Sequence, residues 1–255
     1  MELGLTGRVA LITGGARGIG LEHARLLGAE GAVVVINDID ADAAAGAVAD
    51  LQAQGMRASA LPGDAADEVT VAKSIKQLLG KHRRLDILIN NAGIGVKPAT
   101  RVEELSFEAW SRMLHTHMDS SFLWSRAAVA PMKARGFGRI VNTSSMNFTG
   151  GGRSGVAHYA AAKAGIVGLT QTMAKEVGGY GITVNAIAPG YVATELIAQF
   201  SDDMRERLRV QNPIGRLCKP EEVAALVSFL CSTQAAFING ECICLDGGRR
   251  DFYWG

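Results

Sequence analysis

Short apolar runs alternate with longer, helix-patterned stretches from one end of the chain to the other. No other feature of the sequence constrains the fold as strongly. Residues 8–13, 32–37, 57–61, 86–89, 139–144, 183–188 and 242–245 read as strands. Several are almost continuous Val, Ile and Leu, the pattern of strands covered on both faces. Residues 19–30, 41–54, 68–79, 107–134, 157–177 and 221–231 carry helix-like content. Strands separated by helices predict an α/β fold: one doubly wound, parallel, seven-stranded sheet with helices on both faces. The 255 residues show no repeat and no Pro/Gly/Ser-rich linker, so residues 1–255 are expected to form a single domain.

Composition removes several classes of function. Hydrophobic residues at 48% exclude a disordered chain. The 26 Lys and Arg against 25 Asp and Glu leave a net charge of +1, which offers no footprint for nucleic acid or an acidic membrane. No apolar run reaches the roughly 20 residues of a membrane span. Residues 1–5 carry no signal-peptide pattern. Cys218, Cys231, Cys242 and Cys244 form no CxxC pair and read as structural thiols. A soluble, cytoplasmic protein is expected.

A glycine-rich turn, Thr13-Gly14-Gly15-Ala16-Arg17-Gly18-Ile19-Gly20, joins the first strand to the first helix. Glycines let backbone approach a pyrophosphate, and the helix N-terminus offers free N–H groups with a partial positive charge. Gly14, Arg17, Gly18, Ile19 and Gly20 are therefore expected around a dinucleotide, in a Rossmann-type fold. Asp38 follows Gly20 by 18 residues, where an acid accepts from the ribose hydroxyls. A carboxylate there repels the 2′-phosphate of NADP and favours NAD. Arg17 argues the other way, since a guanidinium pairs with phosphate. The competing role for Asp38 is a helix N-cap. Asp64, after the third strand, suits the adenine amino group or a turn.

Tyr159 and Lys163 stand four apart on an expected helix and so share a face. A tyrosine phenol loses its proton near pH 10, and a nearby ammonium favours the phenolate. Tyr159 is thus suited to take the proton of an alcohol as hydride leaves, and Ser145, at the end of the preceding strand, to hold the substrate oxygen.

Together these motifs resemble the short-chain dehydrogenase/reductase family. The matching elements are the turn at 13–20, Asn90-Asn91-Ala92-Gly93, Ser144-Ser145, Tyr159 with Lys163, Asn185-Ala186-Ile187-Ala188-Pro189-Gly190 and Asp246-Gly247-Gly248. They span nearly the whole chain in the family's order. The resemblance implies an NAD-dependent oxidoreductase interconverting a secondary alcohol and a ketone, with Ser145, Tyr159 and Lys163 catalytic. It also implies cofactor contacts at Gly14, Ile19, Asp38, Asp64, Ala65, Asn91, Gly93, Tyr159, Lys163, Pro189, Gly190, Val192 and Thr194. A sugar or polyol dehydrogenase is a variant of the same reading. A weakly catalytic nucleotide-binding regulator and an isomerase or lyase using the cofactor transiently are the alternatives.

One position departs from the family. Where it usually has an asparagine that kinks a helix and holds a water linking the lysine to solvent, this chain has His117. Imidazole also binds water, so His117 is expected in a working proton relay with altered pH behaviour; the alternative is a packed helix residue. His115 and His117, two apart on a helix, do not face each other, and no metal site is expected.

The substrate pocket is expected from Ile94–Val96, Met146–Thr149, Arg153, His158, Tyr191, Leu196, Phe200 and Met204, with Val96, Met146, Phe148, Arg153 and Tyr191 as its principal contacts. Arg153 either anchors a substrate acid or is a solvated loop residue. The family implies a homotetramer, and the aromatic tail Phe252-Tyr253-Trp254 is expected to pack on a neighbouring subunit.

Overall fold

The computed structural model describes residues 2–150 and 152–248. The expectations for the tail and for the Leu196 side chain fall outside the described residues. Strands β1 (Val9–Thr13), β2 (Val33–Asn37), β3 (Arg57–Ala60), β4 (Ile87–Asn90), β5 (Gly138–Thr143), β6 (Ile182–Pro189) and β7 (Cys242–Leu245) form one sheet in the order β3-β2-β1-β4-β5-β6-β7. Every neighbouring pair is parallel. The expected α/β, doubly wound, seven-stranded architecture is the one observed.

Helices cover both faces. Those of the first half are α1 (Gly18–Ala29), α2 (Ala41–Ala53), α3 (Glu68–His82), α4 (Phe107–Leu114) and α5 (Ser120–Arg135). Those of the second are α6 (Asn147–Gly150), α7 (Ala157–Val177), α8 (Glu195–Ala198), α9 (Asp202–Val210) and α10 (Pro220–Cys231). Alternate side chains of each strand enter different cores. Ala10 and Ile12 of β1 join Leu27, Leu51 and Val227 beneath α1, α2 and α10. Val9 and Leu11 join Leu78, Trp124 and Met173 beneath α3, α5 and α7. This two-sided burial is why the strands lack a polar alternation.

The structure differs from the sequence reading at two places. The helix expected over 107–134 is interrupted by a π turn, His115–Asp119, between α4 and α5. The extra residue of that turn re-aims the side chains around His117. The long connection after β6 holds two helices. Helix α9 has Ser201 as N-cap, accepting from the Met204 N–H, with acids in its first turn and arginines in its last. Arg205 pairs with Asp202, Arg207 with Asp203 and Arg209 with Glu206. These short-range signals were present in the sequence, but the segment lacks the apolar periodicity by which the other helices are recognised.

Candidate active site

In an open parallel sheet, a crevice forms where the strand order reverses, here between β1 and β4. A cleft of about 600 Å³ opens at the carboxyl ends of the strands. Its lining includes Ile19, Asn91, Gly93, Ser145, Tyr159, Lys163, Pro189, Gly190, Val192 and Thr194.

The glycine turn is braced from beneath. Thr13 Oγ1 accepts from the Asn91 and Ala92 N–H groups, and Asn91 Nδ2 donates to the Gly14 carbonyl at 3.0 Å. A Cβ on Gly20 would stand 2.1 Å from that carbonyl oxygen, so only glycine fits. Gly14 and Gly18 have positive φ, at +60° and +54°. Asp40, Asp67, Ser106 and Ser201 cap α2, α3, α4 and α9 with their side chains; α1 begins with no side-chain cap and no acid in its first turn. Its leading N–H groups are left for an anion, and the turn therefore fits a dinucleotide pyrophosphate.

Asp38, after β2, accepts from Ala16 N–H at 3.1 Å and from Asp40 N–H at 3.1 Å. The N-cap of α2 is Asp40, which corrects the capping alternative for Asp38. Arg17 pairs with Asp40 at 2.6 Å. Asp64 is exposed and holds the Ala66 N–H at 2.8 Å, with Ala65 buried beside it. Gly14, Arg17, Gly18, Gly20, Asp38, Asp64 and Ala65 lie outside the cleft lining, at the ends of β1, β2 and β3.

At the other end of the cleft, β5 and α7 bring Ser145, Tyr159 and Lys163 together. Lys163 Nζ donates to the Thr143 carbonyl at 2.7 Å, and Ser144 Oγ donates to the Lys163 carbonyl at 2.8 Å. The ammonium sits 5.6 Å from the centre of the Tyr159 ring. Lys163 is 3% exposed, and burial pulls its pKa down to about 7. Burial raises that of Tyr159 above its ordinary value, opposed by a hydrogen bond with Ser145. Beneath them, Asn90 donates to Ser125 and Asn142, and Asn142 to Thr170, tying β4, β5, α5 and α7 into one buried network.

His117 projects from the π turn against Tyr159, with ring centres 5.4 Å apart and edge to face. Its Nε2 lies 3.0 Å from the Ile94 carbonyl oxygen and 3.2 Å from the Ile94 nitrogen, so either tautomer finds a partner. Nδ1 is buried without one among the described residues. Burial first, and the Lys163 charge second, hold His117 neutral, well below its ordinary pKa. The ring fits because residue 93 is glycine: a Cβ there would stand 2.3 Å from His117 Cε1. No local pattern in the sequence reveals that contact. His115 is exposed and pairs with Asp119. Among the described residues, no cluster of three His, Cys, Asp or Glu side chains is placed to hold a metal ion.

Val96, Met146, Arg153, Tyr191, Phe200 and Met204 line the cleft. Phe148 stands half-buried in α6 and is not among the lining residues; His158 is buried and also lies outside the lining. Both adjoin residues that do line it, Asn147 and Tyr159. Lys97, Ile197 and Leu208 also line it, and the sequence reading had missed them.

A short-chain dehydrogenase family model, described as Enoyl-(Acyl carrier protein) reductase, matches residues 14–250. The cis-4-hydroxycyclohexanecarboxylate dehydrogenase of Sinomonas cyclohexanicum is 40% identical over 94% of this chain and 96% of its own. The 3-oxoacyl-[acyl-carrier-protein] reductase of Escherichia coli is 37% identical over 95% of this chain and 97% of its own. A provisionally assigned gluconate dehydrogenase from Agrobacterium tumefaciens superposes with a TM-score of 0.94 at 34% identity, covering 98% of this chain and 99% of that one. The chain belongs to the short-chain dehydrogenase/reductase family and is an oxidoreductase acting on alcohol or ketone groups. No described helix is long and apolar enough to cross a membrane.

Proposed function

We propose that this chain is an NAD-dependent enzyme that interconverts a secondary alcohol and a ketone on a single domain. The observation that carries the reading is the meeting of Ser145, Tyr159 and Lys163 in a cleft that also reaches Ile19, in the first turn of the helix that follows the uncapped glycine turn. The relatives' names support it: one is a dehydrogenase of a ring alcohol, another a reductase of a keto group.

A bound nicotinamide dinucleotide supplies the hydride acceptor for oxidation and the hydride donor for reduction. Around it, Asn91, Gly93, Pro189, Gly190, Val192 and Thr194 form the wall, and Gly14, Gly18, Ile19 and Gly20 receive the pyrophosphate. The acid pair Asp38 and Asp40 supports NAD over NADP. Arg17, the one cation of the turn, is already neutralised by Asp40. A 2′-phosphate would meet carboxylates without a free guanidinium in compensation.

Ser145 holds the substrate oxygen beside the Tyr159 hydroxyl. In oxidation Tyr159 takes the carbinol proton; in reduction it returns the proton to the new alkoxide. Lys163, anchored on Thr143, sets its charge beside the phenol and favours the phenolate. Neutral His117, packed on the Tyr159 ring, would take the place of the family's asparagine by holding a water of the relay that links Lys163 to solvent. We also propose a homotetramer. Phe107, 82% exposed, and Phe122 stand on α4 and α5 and present apolar surface that a neighbouring subunit would cover.

The test is formation of reduced nicotinamide from NAD or NADP with cyclic, aromatic and polyol secondary alcohols, for the wild type and Tyr159→Phe. Turnover with NAD, lost in the variant, is expected. Cofactor binding without turnover across the panel would overturn the enzymatic reading.

A further inference from the structure

The cleft has an uneven charge. Among the described residues that line it there is no aspartate or glutamate, while Lys97, Arg153 and Lys163 all reach it. Lys163 belongs to the reacting end. The other two cations stand at the rim, on loops far apart in sequence.

Those two loops are fastened together. Thr100 N–H donates to the Gly155 carbonyl at 3.0 Å. Gly155 has φ +87°, and a Cβ there would stand 2.9 Å from the Ala99 side chain and 3.0 Å from the Thr100 nitrogen. Lys97 is three residues before Thr100, and Arg153 is two before Gly155. The contact therefore keeps both cations on one rim.

Neither cation is neutralised by an acid among the described residues. Lys97 Nζ bonds the Gln199 side-chain oxygen at 2.9 Å, a neutral partner between α8 and α9. Arg153 has no ion pair among the described residues. The contrast lies next to them on α9, where all three arginines are paired with acids of the same helix. The lining also includes the apolar side chains of Val96, Met146, Ile197, Met204 and Leu208.

We propose that the substrate is a compact hydroxy or keto carboxylate, with its acid group remote from the reacting carbon and held by Lys97 and Arg153. This rests on the oxidoreductase reading above. The apolar walls take the hydrocarbon frame, and the rim cations take the carboxylate, which plays no part in the redox step. The substrate is compact because the cleft of about 600 Å³ must also admit the nicotinamide end of the cofactor.

Binding and turnover are tested separately. Cyclohexanecarboxylate has no carbinol and is not oxidised. Calorimetry in the presence of NADH compares it with the neutral cyclohexanecarboxamide and with cyclohexyl phosphate. The expected result is a carboxylate preference of about tenfold over the amide. That preference should shrink in Lys97→Gln and in Arg153→Gln, and vanish in the double variant at unchanged melting temperature. Equal binding of acid and amide, absence of acid binding, or a preference that survives in the double variant overturns the proposal. Tighter binding of the phosphate also overturns it and identifies a phosphoryl group as the anion.

Turnover is then compared between 3- or 4-hydroxycyclohexanecarboxylate and the matching methyl ester. The acid is expected to lead in kcat/KM, chiefly through KM, and the acid-to-ester ratio should fall toward one in the double variant. An ester-preferring wild type overturns the proposal. Rim-dependent binding of cyclohexanecarboxylate, with no oxidation of any acid or ester, supports the anion site and breaks the oxidoreductase reading instead.

Discussion

On the β1–β4 side of the cleft, glycines meet backbone: Gly20 lies against the Gly14 carbonyl, and Asn91 ties that carbonyl to β4. On the far side, Lys97, Arg153 and Met204 stand on loops and on the short helix α9. The first wall is specified by atoms that have no room to move, and its chemistry is that of free N–H groups. The second is specified by exposed or half-exposed side chains that can change without disturbing the sheet. A family that keeps one cofactor and changes substrates needs this division.

The largest expected effect falls between the two walls. Tyr159→Phe removes the proton carrier while keeping the ring that packs on His117. Turnover should drop by about 10²–10⁴-fold with nucleotide affinity retained. Comparable losses in both would show that the reacting end and the cofactor wall are one structural unit.

Gly20→Ala attacks the rigid wall directly. Its new methyl cannot fit 2.1 Å from the Gly14 oxygen, so the turn must shift. The expected cost is about 1–3 kcal/mol in stability, together with weaker nucleotide binding. Methyl groups on the exposed wall should be far milder. Unchanged thermal unfolding and nucleotide affinity in Gly20→Ala would remove the distinction.

Acid should also find the rigid wall first. His23 lies in α1, fully buried, with neither ring nitrogen hydrogen-bonded among the described residues, and burial pushes its pKa down to about 3. The folded protein keeps it neutral, whereas the unfolded chain takes up a proton below about pH 6.5. The stability is complete above that value and is lost progressively as pH falls from about 6.5 toward 3. At pH 5 the loss is about 2 kcal/mol. Urea unfolding at pH 7.5 and 5 should show that difference shrinking by this amount in His23→Leu. An equal pH dependence in both proteins would contradict it.

The same division decides what could be read from the sequence. Strand runs such as Val-Val-Val-Ile at 33–36 announce burial on both faces, and the sheet followed from them. The turn at 14–20 and the four-residue spacing of Tyr159 and Lys163 are local patterns, so the rigid wall and the reacting end were legible. The substrate wall was legible only in part. Lys97 looks like any loop lysine until Thr100 meets Gly155, and Phe148 adjoins the cleft in sequence without lining it. Asp40, two residues past Asp38, took the cap because its side chain reaches Ala43 N–H, a choice that the alternating acids left open. The fit of His117 into the space above Gly93 is a contact between distant segments, which no periodicity encodes.

That fit leads to the smallest and most discriminating expectation. His117 stays neutral, offers Nε2 to either group of Ile94, and leaves Nδ1 without a partner among the described residues. An imidazole that only filled space would be replaceable by asparagine without kinetic consequence. One that takes part in the relay would not, since an amide can hold a relay water, as the asparagine usual in the family does, but cannot itself take up a proton. His117→Asn should therefore lower turnover by less than about tenfold, below the general-acid contribution itself, and shift the pH profile of kcat. The melting temperature separates this from loosened packing. A superimposable pH profile at normal stability would assign His117 to the rigid wall as packing, and place the path for the proton elsewhere.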